Sequence, residues 1–104
     1  MSKYLKHIVL FAFKDTASND DIQSIVDAFA NLKQEIDEVH DYEWGTNVSP
    51  ENLHQGFTHC FQLTFLSDAD RDAYLPHPAH KAFGELAQPH IDKVLVVDYW
   101  TSDK

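Results

Sequence analysis

The sequence predicts an α+β fold in which helices cover one face of a four-stranded antiparallel sheet. Three observations lead to this prediction. The segments 4–13 and 57–66 are rich in β-branched and aromatic residues, as strands are. The segment 21–36 repeats its apolar residues every three or four positions, as a helix does. The elements follow one another as strand, helix, strand, strand, helix, strand, an order that fits a single sheet with two crossover helices.

The first half of the chain contributes two strands and a helix. The first strand, 4–13, ends at the turn KDTASNDD, where Ser18 or Asn19 is expected to cap the helix that follows. Acidic residues in its first turn favour the positive end of the helix dipole. A second strand is predicted within 39–49, and Pro50 and Gly56 mark the loop after it.

The second half begins with the most regular alternation in the chain, the strand 57–66. Ser67 is expected to cap a helical segment at 67–75, a further helical stretch broken by prolines covers 76–90, and the last strand is 92–100. This βαββαβ order is the ferredoxin-like arrangement, in which the first and third strands are central neighbours.

Both faces of the predicted sheet are apolar. On the first strand Val9 and Phe11 alternate with Ile8 and Leu10, so either face favours burial. Helices can cover only one face. We therefore expect the other face to meet a second copy of the sheet, giving a homodimer closed into an α+β barrel.

Composition limits the possible functions. The 104 residues are expected to form one domain, 1–104, with 43% hydrophobic residues and a formal net charge of −9. This charge disfavours nucleic acid and anionic membrane as partners. A single cysteine, Cys60, excludes an internal disulfide and is expected to lie buried at the subunit contact. No apolar run approaches a membrane span, and a cytoplasmic protein is expected.

The candidate site consists of histidines and a tyrosine. His7 and His59 lie on apolar strand faces, and Tyr74, His77 and His80 enter the helical stretch above the same sheet. An imidazole can take or give a proton near neutral pH, and a tyrosine hydroxyl can hold a developing oxyanion. We expect a pocket for a small, partly aromatic molecule with an apolar lining: Val9, Phe11, Ile25, Phe29, Phe61, Leu63, Val94 and Val96.

Structural explanations stay open for the same residues. A strand histidine often bonds to a loop carbonyl, and the prolines of PHPAH can serve only to start a helix. The spacing of His77 and His80 is typical of metal ligands, but no glutamate or cysteine completes a set, so neither a metal nor another cofactor is expected. His77 is interpreted as a structural residue of the turn.

Five segments together resemble the stress-responsive dimeric α/β-barrel (Dabb) family. They are KHIVLFAFKD at 6–15, WG at 44–45, GFTHCFQLTF at 56–65, YLPHPAHKAF at 74–83 and VLVVDY at 94–99. The resemblance spans essentially the whole chain. It implies a ferredoxin-like monomer, a homodimer with facing sheets, and a pocket in each subunit between sheet and helices.

The resemblance also implies two classes of function. One is a stress-response homodimer of unassigned activity, in which these residues form a hydrogen-bond network or bind a small ligand. The other is a cofactor-independent cyclase or lyase acting on a small β-keto substrate, as in polyketide-cyclising members of the family. In that second class His80 would be the general base and Tyr74 would orient the substrate, with His7 and His59 as polar supports.

Overall fold

The computed structural model of the chain describes residues 3–102. The strands are β1 (Lys3–Phe13), β2 (Asp41–Thr46), β3 (His59–Phe65) and β4 (Ile91–Ser102), and the helices are α1 (Asn19–Glu35), α2 (Asp68–Tyr74) and α3 (Pro78–Ala87). A 3-10 turn, Gln88–His90, joins α3 to β4. The sheet order is β2-β3-β1-β4 and every pairing is antiparallel. This confirms the predicted ferredoxin-like fold, with β1 and β3 at its centre.

Helix α1 begins as the sequence predicts. Ser18 caps it with a reciprocal pair of bonds, since its hydroxyl accepts from the backbone of Asp21 while the Asp21 carboxylate accepts from the backbone of Ser18. Four residues of the apolar stripe are buried against the sheet: Ile25, Val26, Phe29 and Leu32. This stripe packs α1 against the sheet.

The second helical stretch is two helices. Ser67 caps α2, and α3 starts afresh with His77 as its cap and Pro78 in its first turn. Pro78 restricts His77 to an extended conformation, and a proline inside a helix loses a backbone bond, so one continuous helix cannot form here. The break sends the chain around a corner between Tyr74 and His80. That corner forms one wall of the site.

The two faces of the sheet have different surroundings. The helices pack on the face that carries Val9, Phe11 and Phe61, which are buried. On the opposite face of the edge strand β4, Leu95, Val97 and Tyr99 are nearly half exposed. No helix within residues 3–102 covers that second face, which is apolar along β1 and β4 as predicted and polar along β3, at Gln62 and Thr64. None of the helices in this range has the length and apolar character needed to cross a membrane.

Candidate active site

A cavity of about 860 Å³ lies between the sheet and helix α3 and is bordered by residues of β4. Four polar side chains in mutual contact form part of its lining: His7, Tyr74, His80 and Asp98. The remaining wall combines apolar residues, such as Phe83 of α3 and the sheet residues Val9 and Phe11, with polar residues of α3 and β4. A volume of this size is in the range that protein pockets offer to small organic ligands.

Tyr74 and His80 face each other across the corner between α2 and α3. Tyr74 is the last residue of α2, and His80 lies in the first turn of α3. Their ring centroids are 4.6 Å apart. The Nδ1–H of His80 donates to the carbonyl oxygen of Leu75 over 2.9 Å, which leaves Nε2 of the neutral ring as a proton acceptor. The loop carbonyl therefore sets which nitrogen of His80 is basic.

Burial sets the protonation of this pair. It lowers the pKa of His80, the bond to Leu75 opposes this effect, and the electrostatic interaction with His7 lowers that pKa further. Burial also raises the pKa of Tyr74. At neutral pH the pair is thus a neutral imidazole beside a protonated hydroxyl. A proton acceptor and a hydrogen-bond donor stand together in a largely apolar cavity.

His7 is held by a carboxylate that the sequence did not single out. Its Nδ1 lies 2.6 Å from Oδ1 of Asp98, and the other carboxylate oxygen accepts from Nη1 of Arg71 over 3.1 Å. The His7 ring, only 5% exposed, meets the Tyr74 ring edge-on with centroids 5.9 Å apart. Because Asp98 binds Nδ1, the other ring nitrogen of His7 is the one left for a ligand or a proton.

His59 lies elsewhere. The β1–β3 register pairs His59 with Phe11 and pairs His7 with Leu63, so the two histidines share a face but stand four residues apart along the strands. At about 3.3 Å per residue this separates them by roughly 13 Å. The two rings are therefore not adjacent. His59 packs against Trp44 and Phe13 outside the 860 Å³ cavity, so a chemical role for it stays a prediction about another location.

The apolar lining also differs in part from the expected set. Val9, Phe11, Phe29, Val94 and Val96 border the cavity. Ile25, Phe61 and Leu63 do not, since they are fully buried between α1 and the sheet. The alternation along a strand predicts which side chains lie on the helix-covered face of the sheet. It does not predict whether such a side chain lies in the core under α1 or beside the cavity under α3.

Asp98 and Arg71 are the functional candidates that sequence reasoning missed. Asp98 has a recognisable signal, because it continues the alternation of Val94 and Val96 and so puts a carboxylate on an otherwise apolar strand face. The β4 register then places it directly opposite His7. Arg71 has no comparable signal in its acidic segment. Its role depends on how α2 lies across the sheet.

Both histidines of PHPAH form hydrogen bonds with backbone groups. Nδ1 of His77 accepts from the backbone N–H of Ala79 over 3.0 Å, and His80 binds Leu75 as described. Within residues 3–102, no three side chains of the His, Cys, Asp and Glu types form a cluster that could hold a metal ion.

A family model described as the Stress responsive A/B Barrel Domain matches residues 5–101. The chain belongs to this family. Two curated relatives of the chain carry different kinds of name. The stress-response A/B barrel domain-containing protein HS1 of Arabidopsis thaliana is 43% identical over 91% of this chain and 87% of its own length. Olivetolic acid cyclase of Cannabis sativa is 32% identical over 91% of this chain and 94% of its own length.

Solved structures share this Dabb fold. A hydroxynitrile lyase from Passiflora edulis superimposes with a TM-score of 0.89 at 29% identity, covering 97% of this chain and 95% of that chain. A dimeric ferredoxin-like protein of unknown function from Jannaschia superimposes with a TM-score of 0.80 at 26% identity, covering 92% and 97% of the two chains. Proteins that share this fold thus include one named as an enzyme and one described as of unknown function.

Proposed function

We propose that this Dabb protein binds a small carbonyl compound in the cavity under α3 and moves a proton on it without a cofactor. The observation that carries the proposal is the state of His80. Its Nδ1–H is bound to a backbone carbonyl, its pKa is lowered by burial, and it stands beside the protonated hydroxyl of Tyr74. A base and a hydrogen-bond donor 4.6 Å apart, ring to ring, suit removal of a proton next to a carbonyl group.

In the proposed step Nε2 of His80 takes a proton from the carbon next to the carbonyl. The electron pair of that C–H bond moves to the carbonyl oxygen, and the Tyr74 hydroxyl donates a hydrogen bond to the oxyanion that forms. His7, oriented by Asp98, supplies a second polar group at the same end of the cavity. The apolar part of the wall holds the rest of the ligand, and the bound ligand displaces water from the cavity, which strengthens these interactions.

Two relatives support a reaction of this class. One is named a cyclase and the other a hydroxynitrile lyase, and both cover nearly the whole of this chain. The proposal gives His59 no part in proton transfer, because His59 does not border the cavity.

The test is deuterium incorporation in D₂O, followed by proton NMR at the α-carbon of the acetoacetyl thioester of N-acetylcysteamine. The purified protein is expected to accelerate the exchange above the background rate. His80→Ala should lower the accelerated rate by about 100-fold or more, the usual contribution of a positioned general base. Mandelonitrile cleavage, measured in parallel, tests the lyase alternative.

His40→Ala is the matched control, since His40 is exposed and lies outside the cavity. It should leave the exchange rate unchanged. If His80→Ala and wild type exchange at the same rate, or wild type accelerates neither reaction, the catalytic proposal is wrong. Tight ligand binding without turnover would then assign the cavity to a binding protein.

We also propose that the functional unit is a homodimer formed through the uncovered face of the sheet. Leu95, Val97 and Tyr99 form a contiguous apolar surface with Ile8 and Leu10 of the neighbouring strand. Monomeric proteins rarely leave a sheet face of this kind open to water. The structure from Jannaschia, which covers nearly all of this chain, is described as dimeric.

A further inference from the structure

We propose that Arg71 is a positioning residue that holds Asp98 in the orientation from which it directs His7 into the cavity. The inference rests on the proposed function, since it assigns Arg71 to that site. Arg71 itself does not border the cavity and acts only through Asp98.

Asp98 needs a second partner to keep its orientation. It lies on the edge strand β4 with its side chain 25% exposed, so without a second partner the carboxylate could turn toward water. In the structure each oxygen has its own partner: Oδ1 binds His7 over 2.6 Å and Oδ2 binds Arg71 over 3.1 Å. Two bonds in different directions fix the plane of the carboxylate. A single bond to His7 would leave it free to rotate about that contact.

Arg71 is itself held by two carboxylates. Its Nε donates to Asp72 over 3.1 Å while Nη1 donates to Asp98, so the planar guanidinium joins two carboxylates at once. The rigid fork of an arginine suits such a bridge better than the single ammonium of a lysine. The Arg71 side chain is itself only 25% exposed, which reduces the screening of its pair with Asp98.

Arg71 also links α2 to β4. Arg71 and Tyr74 are three positions apart in the same short helix, so they lie on one side of it. A bond from Arg71 to β4 therefore also fixes the helix that carries Tyr74 relative to the strand that carries Asp98. The 5.9 Å approach of the Tyr74 and His7 rings depends on this link.

Arg71→Met tests the inference, because methionine keeps a long helix-compatible stem without the guanidinium. The direct measurement is the NMR resonance of the His7 Nδ1 proton, which a short bond to a carboxylate shifts far downfield. His7→Ala assigns it. Arg71→Met should broaden this resonance or move it upfield. In the deuterium-exchange assay the same variant should lower kcat about 10-fold with KM unchanged, as expected for a misplaced catalytic group.

Two further variants separate positioning from general destabilisation. Arg71→Lys retains a cation that can pair with Asp98 but lacks the fork that also binds Asp72, so it should keep the downfield resonance and lower kcat by no more than about threefold. Asp72→Asn weakens only the outer contact of Arg71, because the amide oxygen can still accept from Nε, and it should also keep the resonance and hold kcat within about threefold of wild type. If the resonance is unchanged in Arg71→Met, or if Arg71→Lys loses as much as Arg71→Met, the inference is overturned. The resonance requires no turnover, so it tests Arg71 even if wild type proves to have no exchange activity.

Discussion

At the scale of single residues, the environment of each histidine decides what it can do. His80 keeps a basic nitrogen free because a carbonyl binds the other one, and His7 is oriented by Asp98. His59, on the same sheet face, contacts Trp44 and Phe13 instead. Residue type and face could be predicted from alternation in the sequence. The position along the strand could not, because it depends on the register between β1 and β3.

The lowered pKa of His80 predicts how stability depends on pH. The unfolded chain binds a proton at His80 more readily than the folded one, so this residue destabilises the fold as the pH falls below the ordinary histidine value of about 6.5. Replacing it removes that effect. When the pH is lowered from about 7.5 to about 5.5, the free energy of unfolding of His80→Gln should therefore decrease less than that of wild type.

Urea denaturation at the two pH values measures this difference. His59→Gln is a useful parallel, since burial lowers the pKa of His59 as well and its replacement should act in the same direction. His59 lies outside the cavity that His80 borders, so their effects should add in the double variant. A pH dependence in His80→Gln as steep as that of wild type would contradict the prediction.

At the scale of elements, the break between α2 and α3 builds the site. Turn and capping signals in the sequence predicted where the helical stretch is interrupted, and the structure places the break at Leu75–His77. The sequence does not predict the angle at which α2 lies across the sheet before the break. That angle brings Arg71 to Asp98, which explains why the arginine was missed.

His77 offers a test of this break. Its Nδ1 accepts from the backbone N–H of Ala79, so it serves as the N-cap of α3. His77→Ala should lower the free energy of unfolding by about 1 kcal/mol. His77→Asn restores a strong N-cap and should recover most of that loss. Thermal or urea unfolding of both variants decides the matter. Equal losses in the two would show that the cap does not stabilise α3.

At the scale of the whole molecule, the apolar second face predicts association. Alternation in the strands was sufficient to predict two apolar faces, because side chains on a strand point alternately to either side. The fold shows which face the helices leave uncovered. In that face Leu95 is 44% exposed although it lies in the middle of β4.

Leu95→Glu places a charge in the centre of this face and should shift the protein from dimer to monomer, because a carboxylate buried between two sheets would lack a partner. Sedimentation equilibrium at micromolar concentration measures the mass. Leu86→Glu is the matched control: Leu86 is also 44% exposed, but it lies on α3, on the helical side of the sheet. This variant should keep the mass of wild type. If wild type is already monomeric at that concentration, or if both variants dissociate alike, the uncovered face of the sheet is not the dimer interface.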